Sequence, residues 1–159
     1  MVLHGPGAWQ LRLGQLGPLQ RLLDEHSFWA GGRSRHHLGR MLAASQAAVS
    51  AWQGSQLVGF GRASSDGVFR ATLWDVVVAE EQRGRGLGRR LVQRLLEAPA
   101  LRQVERVYLM TSKGSAFYQR LGFEPVHGQT LMRLDRDPTE SVSRKPGPWA
   151  GAGTQQAME

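Results

Sequence analysis

Residues 73–96, LWDVVVAEEQRGRGLGRRLVQRLL, decide how this chain folds. Val76, Val77 and Val78 form a β-branched run whose stiffness and length suit a buried strand. Glu80 and Glu81 open a polar turn after Ala79. From Leu87, the apolar residues Leu87, Leu91, Val92, Leu95 and Leu96 recur at helical spacing, with arginines between them on the other face. The stretch reads as strand, loop and amphipathic helix.

The loop, Gln82-Arg83-Gly84-Arg85-Gly86-Leu87-Gly88, has the chemistry of an anion site. Glycines remove the Cβ atoms that keep a ligand off the backbone, and the first turn of a helix carries N–H groups without an internal partner. Those amides and the helix dipole favour a phosphate, and Arg83, Arg85, Arg89 and Arg90 add positive charge around it. For the glycines alone a tight turn explains as much. The strand before, the helix after and the arginines beside favour a pyrophosphate cradle. A Walker A loop would end in Gly-Lys-Ser/Thr, whereas this helix opens Gly88-Arg89-Arg90. A dinucleotide fingerprint would space its glycines GxGxxG, not GxGxG.

The run 83–88 after a hydrophobic strand resembles the R/Q-x-x-G-x-G/A acetyl-CoA signature of the GCN5-related N-acetyltransferases. Downstream, Phe117-Tyr118-Gln119-Arg120-Leu121-Gly122-Phe123 resembles that family's L/F-Y-x-x-L-G-F segment. The resemblance covers roughly residues 9–134. Within the superfamily, VGFGRASSDGVFRATLWDVVV is most similar to a plastid and cyanobacterial branch that includes serotonin N-acetyltransferase-like proteins and protein lysine and N-terminal acetyltransferases.

Around this core the chain reads in order. Trp9, Leu11 and Leu13 alternate with polar residues, which predicts a first strand. Helices are expected over 16–23 and 35–48, separated by a break at 27–32. A strand over 57–63 follows the turn at Gln53-Gly54-Ser55. Ser64-Ser65-Asp66-Gly67 predicts a tight turn into a long strand over 68–78, the two pairing antiparallel. A strand over 104–110 should lie parallel to its predecessor across the 87–96 helix. A short helix ends at Gly122, and 123–134 can hold two final strands around His127-Gly128. The sum is an α+β fold of the GNAT type, a mixed, mostly antiparallel sheet flanked by helices. The domain spans 1–134, with 135–159, rich in Ser, Gly and Pro, read as a flexible tail.

The resemblance implies a set of site residues. The backbone of Val76, Val77 and Val78 would pair with the pantetheine arm of acetyl-CoA and polarise the acetyl carbonyl. Arg83, Gly84, Arg85, Gly86, Leu87, Gly88 and Arg89 would hold its phosphates. Thr111 stands where the family often has an Asn and supplies only part of an amide's hydrogen bonding. Tyr118 occupies the position of the catalytic tyrosine; its hydroxyl, protonated at neutral pH, can protonate the departing thiolate. Asp75, a carboxylate inside an apolar strand, is the candidate base, with a structural role at a bulge as the alternative. Phe28, Trp29 and Trp74 are candidates for the acceptor wall, core packing being the alternative for the first two.

Composition bounds the remaining choices. The 159 residues give one domain, and the absence of cysteine excludes disulfides, a thiolate nucleophile and cysteine-ligated zinc. No metal site is expected, since the histidines show no ligand spacing. No apolar run reaches the about 20 residues of a membrane span, and no signal-peptide layout is visible, so a cytoplasmic location is expected. A net charge of +7 favours an anionic partner. Nucleic acid is disfavoured, because the arginines gather at the loop where CoA phosphates would occupy them. The expectation is therefore an acetyl-CoA-dependent N-acetyltransferase working by direct attack in a ternary complex. Its acceptor would be a primary amine, either an arylalkylamine such as serotonin or a protein lysine or N-terminal amine. A non-catalytic CoA-sensing or partner-binding module is the alternative, and oligomeric state is left open, a homodimer included.

Overall fold

The computed structural model describes residues 1–134; the expected tail at 135–159 lies outside the described residues. The chain runs β1 (Val2–His4), a 3-10 turn (Pro6–Ala8), α1 (Trp9–Gly14), α2 (Leu16–His26), α3 (Arg35–Ala43), β2 (Ala47–Gln53), β3 (Gln56–Ser65) and β4 (Arg70–Val78). A second 3-10 turn (Glu80–Gln82) leads to α4 (Leu87–Leu96), β5 (Arg106–Tyr108) and α5 (Ser115–Gln119). The strands form one sheet in the order β1-β2-β3-β4-β5, antiparallel throughout except for the parallel β4–β5 pair.

The β3–β4 hairpin turns on Asp66, whose Oδ1 accepts the N–H groups of Val68, Phe69 and Arg70 at 2.9, 2.8 and 3.0 Å. These backbone bonds, that from Arg70 first, hold the Asp66 carboxyl below its usual range, and Gly67 takes the positive φ that the turn requires. On β3, Gly59 and Gly61 make the seat for α4. A Cβ on either would come within 3.0 Å of a Leu91 or Leu95 methyl, so only glycine lets the helix lie this close. Leu91, Val92 and Leu95 are fully buried there, each worth about 1.5–3 kcal/mol of apolar burial. Phe60, between the two glycines, turns to the other face, where α2 packs.

The sequence-based expectations fail at several boundaries. The first strand is Val2–His4, paired with β2, whereas Trp9, Leu11 and Leu13 lie in α1. Their alternation marked no buried face: Leu11 alone is inside, with Trp9 and Leu13 61% and 77% exposed. The helix expected to reach residue 48 stops at Ala43, since Ala47 and Ala48 pair with Ala63 and Arg62, and tertiary pairing overrides alanine's helix propensity. The strand expected at 68–78 begins at Arg70, because Asp66 draws the N–H groups of Val68 and Phe69 into the turn, and the one expected at 104–110 shrinks to Arg106–Tyr108, its pairing with β4 ending at Thr72. No strand forms between 123 and 134: Leu131, Met132 and Leu134 find no layer to bury them, and β5 presents only a three-residue edge.

Candidate functional site

The site begins where the sheet divides. β4 and β5 pair only at Arg70↔Arg106, Ala71↔Val107 and Thr72↔Tyr108. Beyond Thr72, among the described residues, the outer edge of β4 has no strand beside it, while its inner edge stays on β3 through Phe60↔Val77 and Gly59↔Val78. A strand paired on one side leaves alternate N–H and C=O groups on the other free to bond an extended ligand. Val76, Val77 and Val78 lie on that open edge. Their side chains remain structural: Val76 packs near Gly61 and Val78 near Gly88.

A bulge interrupts the inner, β3-paired edge of the same stretch of β4. Phe60 and Arg62, two apart on β3, face Val77 and Trp74, three apart on β4, so β4 carries one extra residue. Asp75 absorbs it with φ +51, a left-handed conformation that Asp tolerates better than most side chains. The bulge puts Trp74 and Val77 on one face and turns the Asp75 carboxylate toward that face. There Arg62 Nε donates to Oδ2 at 2.7 Å, and Arg33 Nη1 donates to Oδ1 at 3.2 Å. Arg62 also lies over the Trp74 ring, 5.7 Å from its centroid, and the Trp74 indole N–H donates to Ser64 Oγ at 2.8 Å.

At the end of β4 the 3-10 turn leads into the glycine loop. Gly84 and Gly86 both have φ +74, and Gly86 caps α4. The first helical bond runs from Arg90 N–H to the Gly86 carbonyl, so the amides of Leu87, Gly88 and Arg89 are outside the ladder. Leu87 is buried and anchors the turn, whereas Arg85, Arg89 and Arg90 are exposed and, among the described residues, make no ion pair. Arg83 rests 3.8 Å from Glu80. Unopposed amides and arginines at the end of an open strand suit a diphosphate joined to an extended amide arm.

Tyr118 enters from α5, whose Phe117 ring touches the Cβ side of Gly88. Phe117 and Phe123 hold the Tyr118 ring edge-on at 4.9 and 5.8 Å. Burial pushes the phenol pKa up, so the hydroxyl keeps its proton. Thr111 acts locally, its Oγ1 accepting the Gly114 N–H at 2.8 Å and closing the turn before α5. Phe28 and Trp29 sit on the α2–α3 loop, 57% and 46% exposed, in an edge-to-face pair at 5.0 Å. They are surface residues and not core. Arg33 ties their loop to β4 through Asp75.

Sequence reasoning missed Arg33 and Arg62. Arg62 left a trace, a lone cation inside the apolar run 57–63 facing an equally lone Asp across a hairpin. Arg33 left none, because its partner is far away in the chain.

Compared with known proteins, residues 18–123 match the acetyltransferase (GNAT) family. The chain belongs to that family. Relatives include the chloroplastic GCN5-related N-acetyltransferase 2 of Arabidopsis thaliana, 45% identical over 45% of this chain and 28% of that protein. Histone acetyltransferase TAP1 of Glycine max is 40% identical over 43% of this chain and 30% of its own length. The matched stretch thus spans under a third of these plant relatives. Among solved structures, one from Xanthomonas campestris pv. campestris assigned to the GNAT family superposes with a TM-score of 0.69 at 28% identity, covering 86% of this chain and 94% of that one. A Trypanosoma brucei acetyltransferase superposes with a TM-score of 0.63 at 25% identity, covering 76% and 92%.

Proposed function

We propose that this GNAT domain is an acetyl-CoA-dependent N-acetyltransferase that acts on a primary amine by direct attack within a ternary complex. The observation that carries this reading is the unpaired edge of β4 running directly into the left-handed glycine loop. Acetyl-CoA would supply the activated acyl group. The amides of residues 84–89, with Arg83, Arg85 and Arg89, would hold its diphosphate, and the main chain of Val76, Val77 and Val78 its extended arm.

The chemistry makes three demands on the protein: a neutral amine, donors for the oxyanion, and a proton for the leaving sulfur. Main-chain N–H groups on the open edge of β4 meet the second. Tyr118 meets the third, its hydroxyl kept protonated by burial. The C–N bond forms as the C–S bond breaks, one amine proton leaves, and the thiolate takes the phenolic proton, which solvent restores. Asp75 is the proposed acceptor of the amine proton. Its side chain is 5% exposed and held by two guanidinium groups, so it acts through a water rather than by touching the amine.

Two acceptor types fit this scheme, a small arylalkylamine against Phe28 and Trp29 or a protein amino group, the latter in keeping with the name of the soybean relative. Calorimetric titration with acetyl-CoA, followed by turnover on an amine panel, tests the reading. Micromolar binding with amide formation is expected; absence of binding overturns it.

A further inference from the structure

The face of β4 beside the bulge carries an arrangement that acetyl transfer alone does not require. Two guanidinium groups share one carboxylate: Arg33 at 3.2 Å and Arg62 at 2.7 Å from the opposite oxygens of Asp75. The cluster therefore keeps one unit of positive charge in excess. Among the described residues no other carboxylate pairs with either arginine; Asp24, on the same side of the molecule, spends its Oδ1 on the Gly32 N–H at 2.7 Å.

The excess is also reachable. The Arg33 and Arg62 side chains are 34% and 17% exposed, so the charge is neither sealed in the core nor diluted in bulk water. Arg62 spends Nε on Asp75 and keeps both Nη groups, and the Trp74 ring behind it holds the guanidinium plane. Arg33 spends Nη1 on Asp75 and Met41 Sδ and keeps Nη2 and Nε. A guanidinium fork with free N–H groups in fixed orientation matches a carboxylate in two-point contact. The exposed Phe28 and Trp29 pair adds apolar surface on the same loop as Arg33.

Resting on the acetyltransferase reading, we propose that Arg33 and Arg62 determine acceptor specificity, and that the acceptor is an amine that also carries a carboxylate. Asp75 fixes the two forks at the bulge next to Val76, the start of the main-chain edge assigned to the acyl group. A cationic amine without an acid group, a simple arylalkylamine included, would meet net repulsion there, which narrows the two acceptor types to their acid-bearing members. An amino acid would have its negative charge drawn to the forks, and the same excess charge would favour the neutral, reactive form of its amine. The reaction itself is unchanged: the amine becomes an amide, and the thioester leaves as free thiol.

The test compares matched acceptors with and without the carboxylate, phenylalanine against phenethylamine and 6-aminohexanoate against hexylamine, with kcat/KM expressed per neutral amine. The native chain should favour the acid-bearing member of at least one pair by about tenfold or more. Arg33→Gln should erase most of that preference by raising KM for the acid-bearing acceptor, while the affinity for acetyl-CoA stays within about twofold. Arg33→Lys, which restores charge without the fork, should recover only part. Arg62→Gln, which leaves Arg33 paired with Asp75 and the cluster neutral, should lose the preference as well. Equal turnover of both members of each pair by the native chain, or a preference that survives Arg33→Gln, overturns the specificity assignment and leaves the acetyltransferase reading standing. Failure to bind acetyl-CoA overturns both.

Discussion

The two halves of the site are built on opposite plans. The loop half, residues 82–89, is contiguous in sequence and works through main-chain amides; among the described residues its exposed arginines make no fixed contact beyond Arg83 to Glu80. The sheet-face half gathers Arg33, Arg62, Trp74 and Asp75 from three separate segments and works through side chains locked to one another. The difference suits two ligands. A group common to every turnover can be held by backbone that tolerates sequence drift, whereas discrimination among acceptors needs side-chain forks at fixed positions. Tyr118 lies at the seam, joined to the loop half through Phe117 and Gly88.

The strongest test of this division is therefore at the seam. Tyr118→Phe should lower kcat by about 10²-fold or more for every acceptor while acetyl-CoA affinity holds within about twofold. The native alkaline limb of kcat should lie above the ordinary tyrosine value near 10, because burial raises the phenol pKa, and the variant should lack it. A variant that loses acetyl-CoA binding instead would move Tyr118 into the loop half. Next in size is Asp75→Asn. Asn keeps the left-handed backbone at φ +51, so the change isolates charge: two half-enclosed guanidinium groups lose their common partner. Denaturant unfolding should show a loss of about 2 kcal/mol, below the about 3–5 kcal/mol of a fully enclosed pair. An unchanged midpoint would mean that the arginines do not depend on Asp75 and that the sheet-face half is not one unit.

Gly86→Ala should have a smaller effect, confined to the loop half. A Cβ there meets no atom within 4 Å, so the cost comes from φ +74 alone, about 1–2 kcal/mol. Part of it should appear as acetyl-CoA affinity weakened by about tenfold, with the acceptor preference unmoved. A shift in that preference would show the halves to be coupled.

The same contrast explains what could be read in advance. The run from Val76 to Leu96 was legible because each signal is local: β-branched bulk, alternate glycines, helical spacing, and a helix found at Leu87–Leu96 where the periodicity placed it. The parallel β4–β5 pair followed from the crossover helix. The positions of Tyr118 and the glycine loop beside each other depended on Phe117 filling the space left by Gly88, a contact with no periodic trace. Arg33 was invisible for the same reason. Its role exists only once the bulge at Asp75, readable beforehand only as the alternative to a catalytic base, turns the carboxylate to the α2 face, and no local signal says which distant side chain will meet it there. The α1 error has a related cause: three alternating apolar residues promise a strand only if all three are buried, and the sequence does not say that Trp9 and Leu13 are left outside.

A last prediction supplies a control outside both halves. His4 anchors β1 on β2, its Nε2 2.8 Å from Ser50 Oγ, which also accepts the Trp52 indole N–H at 2.9 Å. The ring is 7% exposed and its Nδ1 is buried without a hydrogen-bond partner beside a cavity of about 150 Å³. Burial lowers the imidazole pKa below 6.5, and Gln10 nearby offsets only part of that. The folded state thus prefers neutral His4, while the unfolded chain takes up a proton below about 6.5. Above that value neither state protonates the ring and His4 adds no pH dependence; stability falls as the pH drops from it toward the lower folded pKa. Thermal melts of the native chain and of His4→Gln between about pH 7.5 and 5 should therefore converge as the medium acidifies, the native chain losing its lead. Neither the acetyl-CoA affinity at the loop nor the acceptor preference at Arg33 and Arg62 should follow that difference, since β1 lies at the opposite edge of the sheet from β5 and the divided strands. Parallel curves would show that the His4 ring finds water or another partner for its charge, and would place the acid sensitivity of the fold elsewhere.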